Sequence, residues 1–322
     1  QRIVIIGQVS TLQDKNIVQV GITAKTQRLP FPIKAATVTL IDEQNNTSHT
    51  YIESQTKPGE YILEGLSGNP GTAYSLKVVL PNGETYQSTA ERIPLTSCSI
   101  FTTHEFVTET ITDIEGTKTD QPLIKIYANS YIPNMEEDVY LKWAVEEVFA
   151  LVPTDFPDGF GNTPATCFIH QYADPQRIAL FNGQVVVTKS ITDVLVAQRV
   201  IDYSFFSRHY FTTYQSSITR EAYEYWNKVN VLSNQVGSIF DTPPAEITGN
   251  MMNINKKSEK VLGYFQATNE VYDRFFVLPF DLPNPVLWQS CDYFDPSSSN
   301  YPTRCLNCLS VRNSSLVRPP WF

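Results

Sequence analysis

The sequence predicts a mostly β fold, with an N-terminal immunoglobulin-like β-sandwich followed by a larger antiparallel β-rich domain that carries one prominent α-helix. Three observations predict it. Tyr and Phe are frequent, with 17 and 18 of the 322 residues, and such side chains pack well across strands. Short runs that alternate polar and apolar residues recur between turn signals. One segment, residues 219–236, has the periodicity of an amphipathic helix.

Residues 1–95 are predicted to form the sandwich. Its predicted strands are residues 3–9, 16–23, 36–41, 51–52, 59–63, 72–79 and 85–88. Turn residues separate them at regular intervals, and Pro81-Asn82-Gly83 is typical of a tight hairpin between the last two. This spacing indicates two packed sheets of short strands.

Residues 96–322 are predicted to form the larger domain. A Thr-, Asp- and Gly-rich segment, residues 111–122, has the composition of a linker. Residues 139–152 fit both a strand period and a helix period, and their β-branched and aromatic side chains favour a strand. Further strands are predicted at residues 123–128, 184–189, 194–206, 209–214, 261–268 and 273–278.

The predicted helix, residues 219–236, has recognisable ends. Ser217 or Thr219 can cap its N-terminus, and Glu221 lies in the first turn, where the helix dipole favours a carboxylate. Gly237 has the position of a C-terminal capping residue.

The five cysteines indicate disulfide chemistry. Cys291, Cys305 and Cys308 lie in a Pro-, Ser- and Asn-rich segment with little apolar material for a core, so we expect them and Cys167 to form disulfides in an oxidising compartment. Four cysteines allow three pairings, and the sequence does not choose among them. The alternatives are free thiols or a zinc site at Cys305-x-x-Cys308, which the scattered histidines do not favour. Cys98 is expected to be buried and free.

The net charge and the start of the chain restrict which partners and which cellular location are expected. The net charge of −9 and the sequence pI of about 5.0 disfavour nucleic acid, because phosphates repel an acidic surface. The sequence has no apolar run long enough for a transmembrane helix. It opens on Gln1-Arg2 without an initiator Met, which predicts a mature protein whose targeting segment has been removed. A fragment boundary inside a cytosolic protein is the alternative.

Catalytic, cofactor and metal sites are not predicted. The sequence has no G-x-S-x-G elbow and no glycine-rich nucleotide loop. Cys167 and His170 should fall on opposite faces of one strand, which excludes a thiolate–imidazole pair. The carboxylates at residues 136–138 and at Glu146-Glu147 are expected to be solvated acidic edges. A hydrolase with an unrecognised site is the weakest hypothesis.

Four aromatic residues are the candidates for partner contacts. Tyr223, Tyr225 and Trp226 lie on the predicted helix, and aromatic side chains give contact area at little entropic cost. Phe240 follows in the rigid loop at residues 236–244. This side chain either packs under the helix against Trp226 or is presented to a partner.

Several segments, taken in order, resemble a family of Bacteroidota outer-membrane lipoproteins, the domain of unknown function DUF4249. They are residues 36–40, 59–61, 71–76, 218–226, 237–241, 249–250, 261–265, 305–308 and 318–322. The resemblance implies a lipid anchor upstream of Gln1, display on the cell surface and association with SusC-like TonB-dependent transporters. It carries over no catalytic residues.

The expected function is therefore that of a non-catalytic surface lipoprotein that docks on or caps a TonB-dependent outer-membrane transporter. In this reading the sandwich is a spacer or docking module and the larger domain supplies the recognition surface. Two alternatives remain open at this point: an independent surface protein that binds glycan or peptide, and a structural subunit of a larger outer-membrane assembly.

Overall fold

The fold is taken from a computed structural model, which describes residues 2–24, 30–112, 116–133, 138–151, 165–185, 189–234, 247–286, 304 and 307–322. The strands before residue 95 are β1 (Ile3–Ser10), β2 (Ile17–Ile22), β3 (Phe31–Pro32), β4 (Thr37–Asp42), β5 (Thr47–Thr50), β6 (Ile52–Glu53), β7 (Glu60–Ile62), β8 (Ala73–Val79), β9 (Thr85–Ser88) and β10 (Glu91–Arg92). The predicted strands are confirmed, and β3, β5 and β10 are short additions. The predicted hairpin between β8 and β9 is also confirmed, with Gly83 in the left-handed region at φ +85°.

The later strands are β11 (Ser99–Thr112), β12 (Lys118–Tyr131), β13 (Tyr140–Leu151), β14 (Cys167–Tyr172), β15 (Ala179–Asn182), β16 (Ser190–Val200), β17 (His209–Ile218), β18 (Met251–Asn253), β19 (Phe265–Val277) and β20 (Ser314–Ser315). The strand interpretation of residues 139–152 is confirmed by β13. The linker interpretation of residues 111–122 is wrong. Thr112 pairs with Lys118, so residues 111–112 and 118–122 belong to the paired strands β11 and β12, while residues 113–115 lie outside the described residues.

Four predicted strands need correction. The strands predicted at residues 261–268 and 273–278 are one strand, β19. Of the strand predicted at residues 184–189, residues 184–185 belong to a 3-10 turn, Gly183–Val185, and residues 186–188 lie outside the described residues. The strand predicted for residues 194–206 runs from Ser190 to Val200, and a second 3-10 turn, Tyr203–Phe206, follows it. Asp202 ends the strand because its carboxylate accepts a hydrogen bond from the Ser204 amide at 2.9 Å, which caps the turn.

The described strands form three sheets. The largest has eleven strands in the order β20-β14-β13-β17-β19-β1-β2-β7-β6, with β15 beside β13 and β3 beside β2. The second has the order β18-β9-β8-β4-β5, with β10 on β8, and the third is β11-β12-β16. Among the described strand pairs only β1 and β19 are parallel. The large sheet therefore runs without interruption from the first strand of the chain into its second half.

The predicted sandwich receives part of its structure from late in the chain. Strand β18 pairs with β9, and the start of β19 pairs with β1. The core between the two sheets contains Val38, Leu76 and Tyr86 from the first 95 residues and also Met251 and Phe265. The division at residue 95 stays a prediction, but the core of this sandwich needs residues 251–267.

Two glycines allow the late segment to approach β1. Gly263 has φ +99°, and a Cβ placed on it would lie 2.0 Å from the carbonyl oxygen of Ile5. A Cβ on Gly249 would lie 1.6 Å from the carbonyl oxygen of Gly263. No larger residue fits at either position, so these glycines fix how residues 249–265 pass beside β1.

The large sheet has two different faces in the second half of the chain. One face packs against the three-stranded sheet, where Ile124 and Ile126 meet Trp143 and Phe211 in a buried core. Because side chains alternate along a strand, the neighbours of Trp143 on β13 point to the opposite side. We call that opposite side, which carries Lys142 and Glu146, the open face.

The helix α1 (Arg220–Asn234) lies at one end of the open face. Its predicted cap is confirmed, since Thr219 Oγ1 accepts a hydrogen bond from the Ala222 amide at 3.1 Å. Tyr223 and Tyr140 pack with ring centroids 5.2 Å apart. Gly237, the predicted C-terminal cap, lies outside the described residues. No helix in the described ranges is long and apolar enough to cross a bilayer.

Candidate functional site

A cleft on the open face is the candidate functional site. Its deeper part has a volume of about 620 Å³ and is lined by residues of β1, β2, β13, β14 and α1. A second part of about 550 Å³ continues over β2 towards Pro30 and Pro32. The two parts share Ile6, Gln19 and Arg312, so we treat them as one open-face cleft.

A chain of side-chain hydrogen bonds fixes the floor of the cleft. Trp226 Nε1 donates to Gln266 Oε1 at 2.7 Å, and Gln266 Nε2 donates to Gln8 Oε1 at 2.9 Å. Gln8 Nε2 in turn donates to the carbonyl oxygen of Lys15 at 2.8 Å. A carboxamide has two N–H donors and two acceptor positions, so each glutamine keeps hydrogen-bonding capacity for a further partner. The side chains of the floor are thus held in place and still have unused hydrogen-bonding positions.

Lys15 and Glu146 form an ion pair at the side of the cleft. Lys15 Nζ lies 2.7 Å from Glu146 Oε1 and 3.7 Å from the centroid of the Tyr214 ring. Burial lowers the pKa of Lys15, but the charge of Glu146 and the Tyr214 contact outweigh burial and raise it overall. Lys15 therefore keeps its charge at neutral pH, and it lies against a group of opposite sign.

Lys142 has a different environment. Its Nζ lies 4.3 Å from the centroid of the Trp226 ring, and among the described residues it has neither an ion pair nor a hydrogen bond. Burial lowers the pKa of Lys142, and the charge of Glu270 opposes this only in part. Glu270 itself is occupied, because it accepts hydrogen bonds from Ser10 and Ser216. Lys142 thus presents unused N–H donors to the cleft.

Glu147 points away from the cleft into the opposite face of the sheet. Its carboxylate is fully buried and accepts hydrogen bonds from Gln171 Nε2 at 2.6 Å and Arg199 Nε at 3.0 Å. His209 Nε2 lies 3.0 Å from the other oxygen, and the His209 ring stacks 4.1 Å from that of Phe205. The expectation of a solvated edge is wrong for Glu147, because β13 lies inside the sheet and turns this side chain into the core.

Glu146 also departs from that expectation, since it is half-buried and paired with Lys15. Of the acidic run at residues 136–138, residues 136–137 lie outside the described residues.

One disulfide bond within the predicted set is observed. Cys167 and Cys308 are bonded, with their Cα atoms 5.8 Å apart, and the bond ties β14 to the C-terminal segment. It also overturns the zinc alternative, because Cys308 Sγ cannot serve as a ligand. Cys291 and Cys305 lie outside the described residues. Cys98 is buried and free, as expected, and burial raises the pKa of its thiol to about 11.

The predicted aromatic contact residues lie on the inner side of α1. Tyr225 packs on Tyr264 with ring centroids 4.8 Å apart, and Trp226 lines the cleft. Tyr223 and Tyr225 are half-buried against the sheet. Phe240 lies outside the described residues. Partner contact by these side chains stays a prediction.

Sequence reasoning missed the residues of the cleft floor. Gln8, Gln266 and Lys142 each have the pattern of an ordinary polar position in a strand, and Glu146 was expected to be a solvated acidic edge. One signal was present, because Lys142 and Glu146 are four residues apart on a predicted strand and must share a face.

These features define a class of protein: a two-faced β-rich protein that covers one side of its main sheet and leaves a polar, aromatic-lined cleft on the other. The sequence model described as "Domain of unknown function (DUF4249)" matches residues 1–274, and the chain belongs to this family. No curated protein matches the chain.

Replacing Glu147 by Gln should destabilise the protein by about 3 kcal/mol or more at pH 7, because Arg199 loses its buried counter-charge and His209 loses its buried carboxylate partner. The matched control is Glu109→Gln, which removes a surface pair with Lys125 and should cost about 1 kcal/mol or less. Urea unfolding measures both. Equal effects of the two substitutions would show that the buried cluster does not stabilise the fold.

The effect of Glu147→Gln should also depend on pH. Burial opposes ionisation of Glu147, but the hydrogen bond and charge of His209 and the charge of Arg199 lower its pKa below 4.5. Its contribution to stability is therefore complete above pH 4.5 and is lost as the pH falls through the lowered pKa. The difference in unfolding free energy between wild type and Glu147→Gln should shrink below about pH 4.5. A constant difference between pH 3 and pH 7 would contradict this.

Proposed function

We propose that this protein is a non-catalytic binding protein of the bacterial cell surface that holds a ligand in its open-face cleft. It is a lipoprotein of the outer membrane in Bacteroidota, anchored by a lipid upstream of Gln1. It docks on a SusC-like TonB-dependent transporter, to which it hands the ligand. The cleft is the observation that carries the proposal.

The dimensions and the lining of the cleft support binding. Small-molecule sites generally have volumes of roughly 300–1,000 Å³ and combine aromatic surface with a few fixed polar groups. The deeper part alone, at about 620 Å³, falls within this range. Trp226 and the exposed Tyr172 supply aromatic surface, while Gln8 and Gln266 are held in place by their mutual hydrogen bond. Fixed groups bind more tightly because less order is lost on binding.

Two side chains that could take part in chemistry, Cys167 and His209, are committed elsewhere, which supports binding without conversion. Cys167 is committed to a disulfide. His209 is buried between Phe205 and Phe211, with ring centroids at 4.1 and 4.7 Å, and it pairs with Glu147 on the side away from the cleft. These groups stabilise the core, and a general base needs to reach its substrate.

The Cys167–Cys308 disulfide and the family resemblance support the location. Disulfides form and persist outside the cytosol, so the bond fits a protein exported from the cell interior. Docking on a transporter rests on the resemblance, which associates such lipoproteins with SusC-like transporters.

Docking predicts that a transporter accompanies the protein. Purification of the full-length protein from gently solubilised outer membranes should recover a TonB-dependent β-barrel in equal amount, as measured by quantitative mass spectrometry. A matched preparation in which the protein carries no affinity tag controls for unspecific recovery. Isolation of the protein without a barrel would contradict docking and leave an independent surface binder.

If the ligand binds in the cleft, replacing an exposed tyrosine by Ala should weaken binding inside the cleft and leave it unchanged outside. Tyr172 lines the cleft and is 54% exposed, whereas Tyr131 is 47% exposed and lies outside the cleft lining. Soluble polysaccharide digests and peptide digests are titrated against the protein by thermal shift and Trp fluorescence. A digest that binds wild type should bind Tyr172→Ala about tenfold more weakly, since a buried aromatic contact contributes more than about 1 kcal/mol.

The control variant Tyr131→Ala should bind like wild type. The proposal would be overturned if no digest gave a signal, or if both variants bound as wild type does.

A further inference from the structure

The charge of the cleft is opposite in sign to that of the whole protein. The chain carries a net charge of −9. Two carboxylates face the cleft, and each lies beside a lysine: Glu146 is 2.7 Å from Lys15, and Glu60 is 3.7 Å from Lys57. These pairs cancel, so they add no negative charge to the described lining.

The cations that remain in the described lining are Lys142 on the floor and Arg312 at the exposed rim. Glu147 also borders the cleft, but its carboxylate points to the other face and pairs with Arg199. Glu270 lies outside this lining, and its charge offsets part of that of Lys142. The cleft of an acidic protein is therefore left with a small positive surplus. Such a surplus attracts an anionic group.

Lys142 is the stronger of the two candidates for holding that group. It is half-buried beneath Trp226, and Glu270, whose charge acts on it, makes its hydrogen bonds to Ser10 and Ser216 and none to Lys142. A desolvated ammonium with unused donors gains a charge-assisted hydrogen bond when an anion arrives, and the low local dielectric strengthens it. The lowered pKa of Lys142 agrees with this, since the charge of an incoming anion would offset the cost of that desolvation.

The floor of the cleft favours a sugar over an extended peptide. Peptides often bind by adding a strand to a free sheet edge. Here β13 lies between β14 and β17, and β1 lies between β19 and β2, so the backbone groups of the floor are already paired. Recognition must come from side chains.

Those side chains match hydroxyl groups. The carboxamides of Gln8 and Gln266 both donate and accept, as each sugar hydroxyl does. Tyr172 offers an exposed ring at the wall, on which the apolar face of a sugar ring can pack.

We propose that the open-face cleft binds an acidic oligosaccharide, whose anionic group lies at Lys142 Nζ while its hydroxyl groups bind to Gln8 and Gln266. The anionic group is a uronate carboxylate or a sulfate ester, which share this chemistry. This inference rests on the proposed function of the cleft.

Calorimetric titration of the full-length protein tests the proposal with four probes of matched length. They are an oligogalacturonate, a sulfated oligogalactan, a neutral oligogalactose and an acidic peptide with a free C-terminus. At least one acidic sugar should bind at least tenfold more tightly than the neutral sugar, and added salt should weaken its binding. The acidic sugar that binds identifies the carboxylate or the sulfate as the anion.

Two substitutions make the test specific. Lys142→Met keeps the length and the apolar contact of the side chain, and it should lower the affinity for the acidic sugar about tenfold without changing that for the neutral one. Lys228→Met removes the same charge from the exposed side of α1 and should change neither affinity. If Lys142→Met does not fold, Arg312→Gln at the exposed rim should still lower the affinity for the acidic sugar severalfold.

The outcomes separate the inference from the proposed function. Equal binding of acidic and neutral sugars, unaffected by Lys142→Met, would overturn the anion site while the cleft remained a binding site. If the peptide bound and neither acidic sugar bound, the sugar assignment would be overturned. If no probe bound although a digest bound through Tyr172, the acidic-oligosaccharide proposal would be wrong and the cleft would remain a binding site. If neither the four probes nor any digest bound, both proposals would fail.

Discussion

The parallel pairing of β1 with β19 joins the two halves of the chain into a single sheet. Gly7 lies opposite Phe265 and Val9 opposite Ala267, although these partners are 258 residues apart in the sequence. Closing so long a loop costs conformational entropy, which the buried contacts of Phe265 and Ala267 help to offset. The glycines at 249 and 263 make the approach possible because no side chain fits between these backbones.

The candidate cleft depends on the pairing of β1 with β19, which we call the β1–β19 seam. Gln8 on β1 and Gln266 on β19 are bonded across it, and Ser10 on β1 reaches Glu270 on β19. Without the pairing, Trp226 would lose the acceptor that orients its ring over Lys142. The same pairing therefore completes the core of the sandwich and assembles the floor of the cleft.

Strand β13 shows how burial sorts the charges between the two faces of the sheet. Glu147 points to the covered face, where burying a carboxylate is tolerable only with a counter-charge and hydrogen-bond partners. Arg199 supplies the charge, and Gln171 and His209 lie within hydrogen-bond distance. Lys142 points to the open face, where it forms no ion pair with a described carboxylate. One strand thus carries one charge that is paired within the chain and one that is not.

The sequence was a good guide to local structure and a poor guide to long-range contacts. Alternation predicted β1 and β2, and the cap at Thr219 placed the start of α1, because these features depend on neighbouring residues. The β1–β19 seam was not predictable, since pairing between distant strands leaves no local pattern. Glu147 was misread for the same reason, as His209 lies 62 residues away. The Cys167–Cys308 bond was one of three pairings that the sequence allowed.

Native-state hydrogen exchange on the full chain, followed by mass spectrometry at increasing denaturant, tests the seam most directly. We expect peptides from β1 and β19 to open with the same free energy and the same denaturant dependence, because they unfold as one unit. Opening of β1 at much lower denaturant than β19 would show that the two halves are independent. In that case the cleft floor could not be the fixed structure on which binding is proposed to depend.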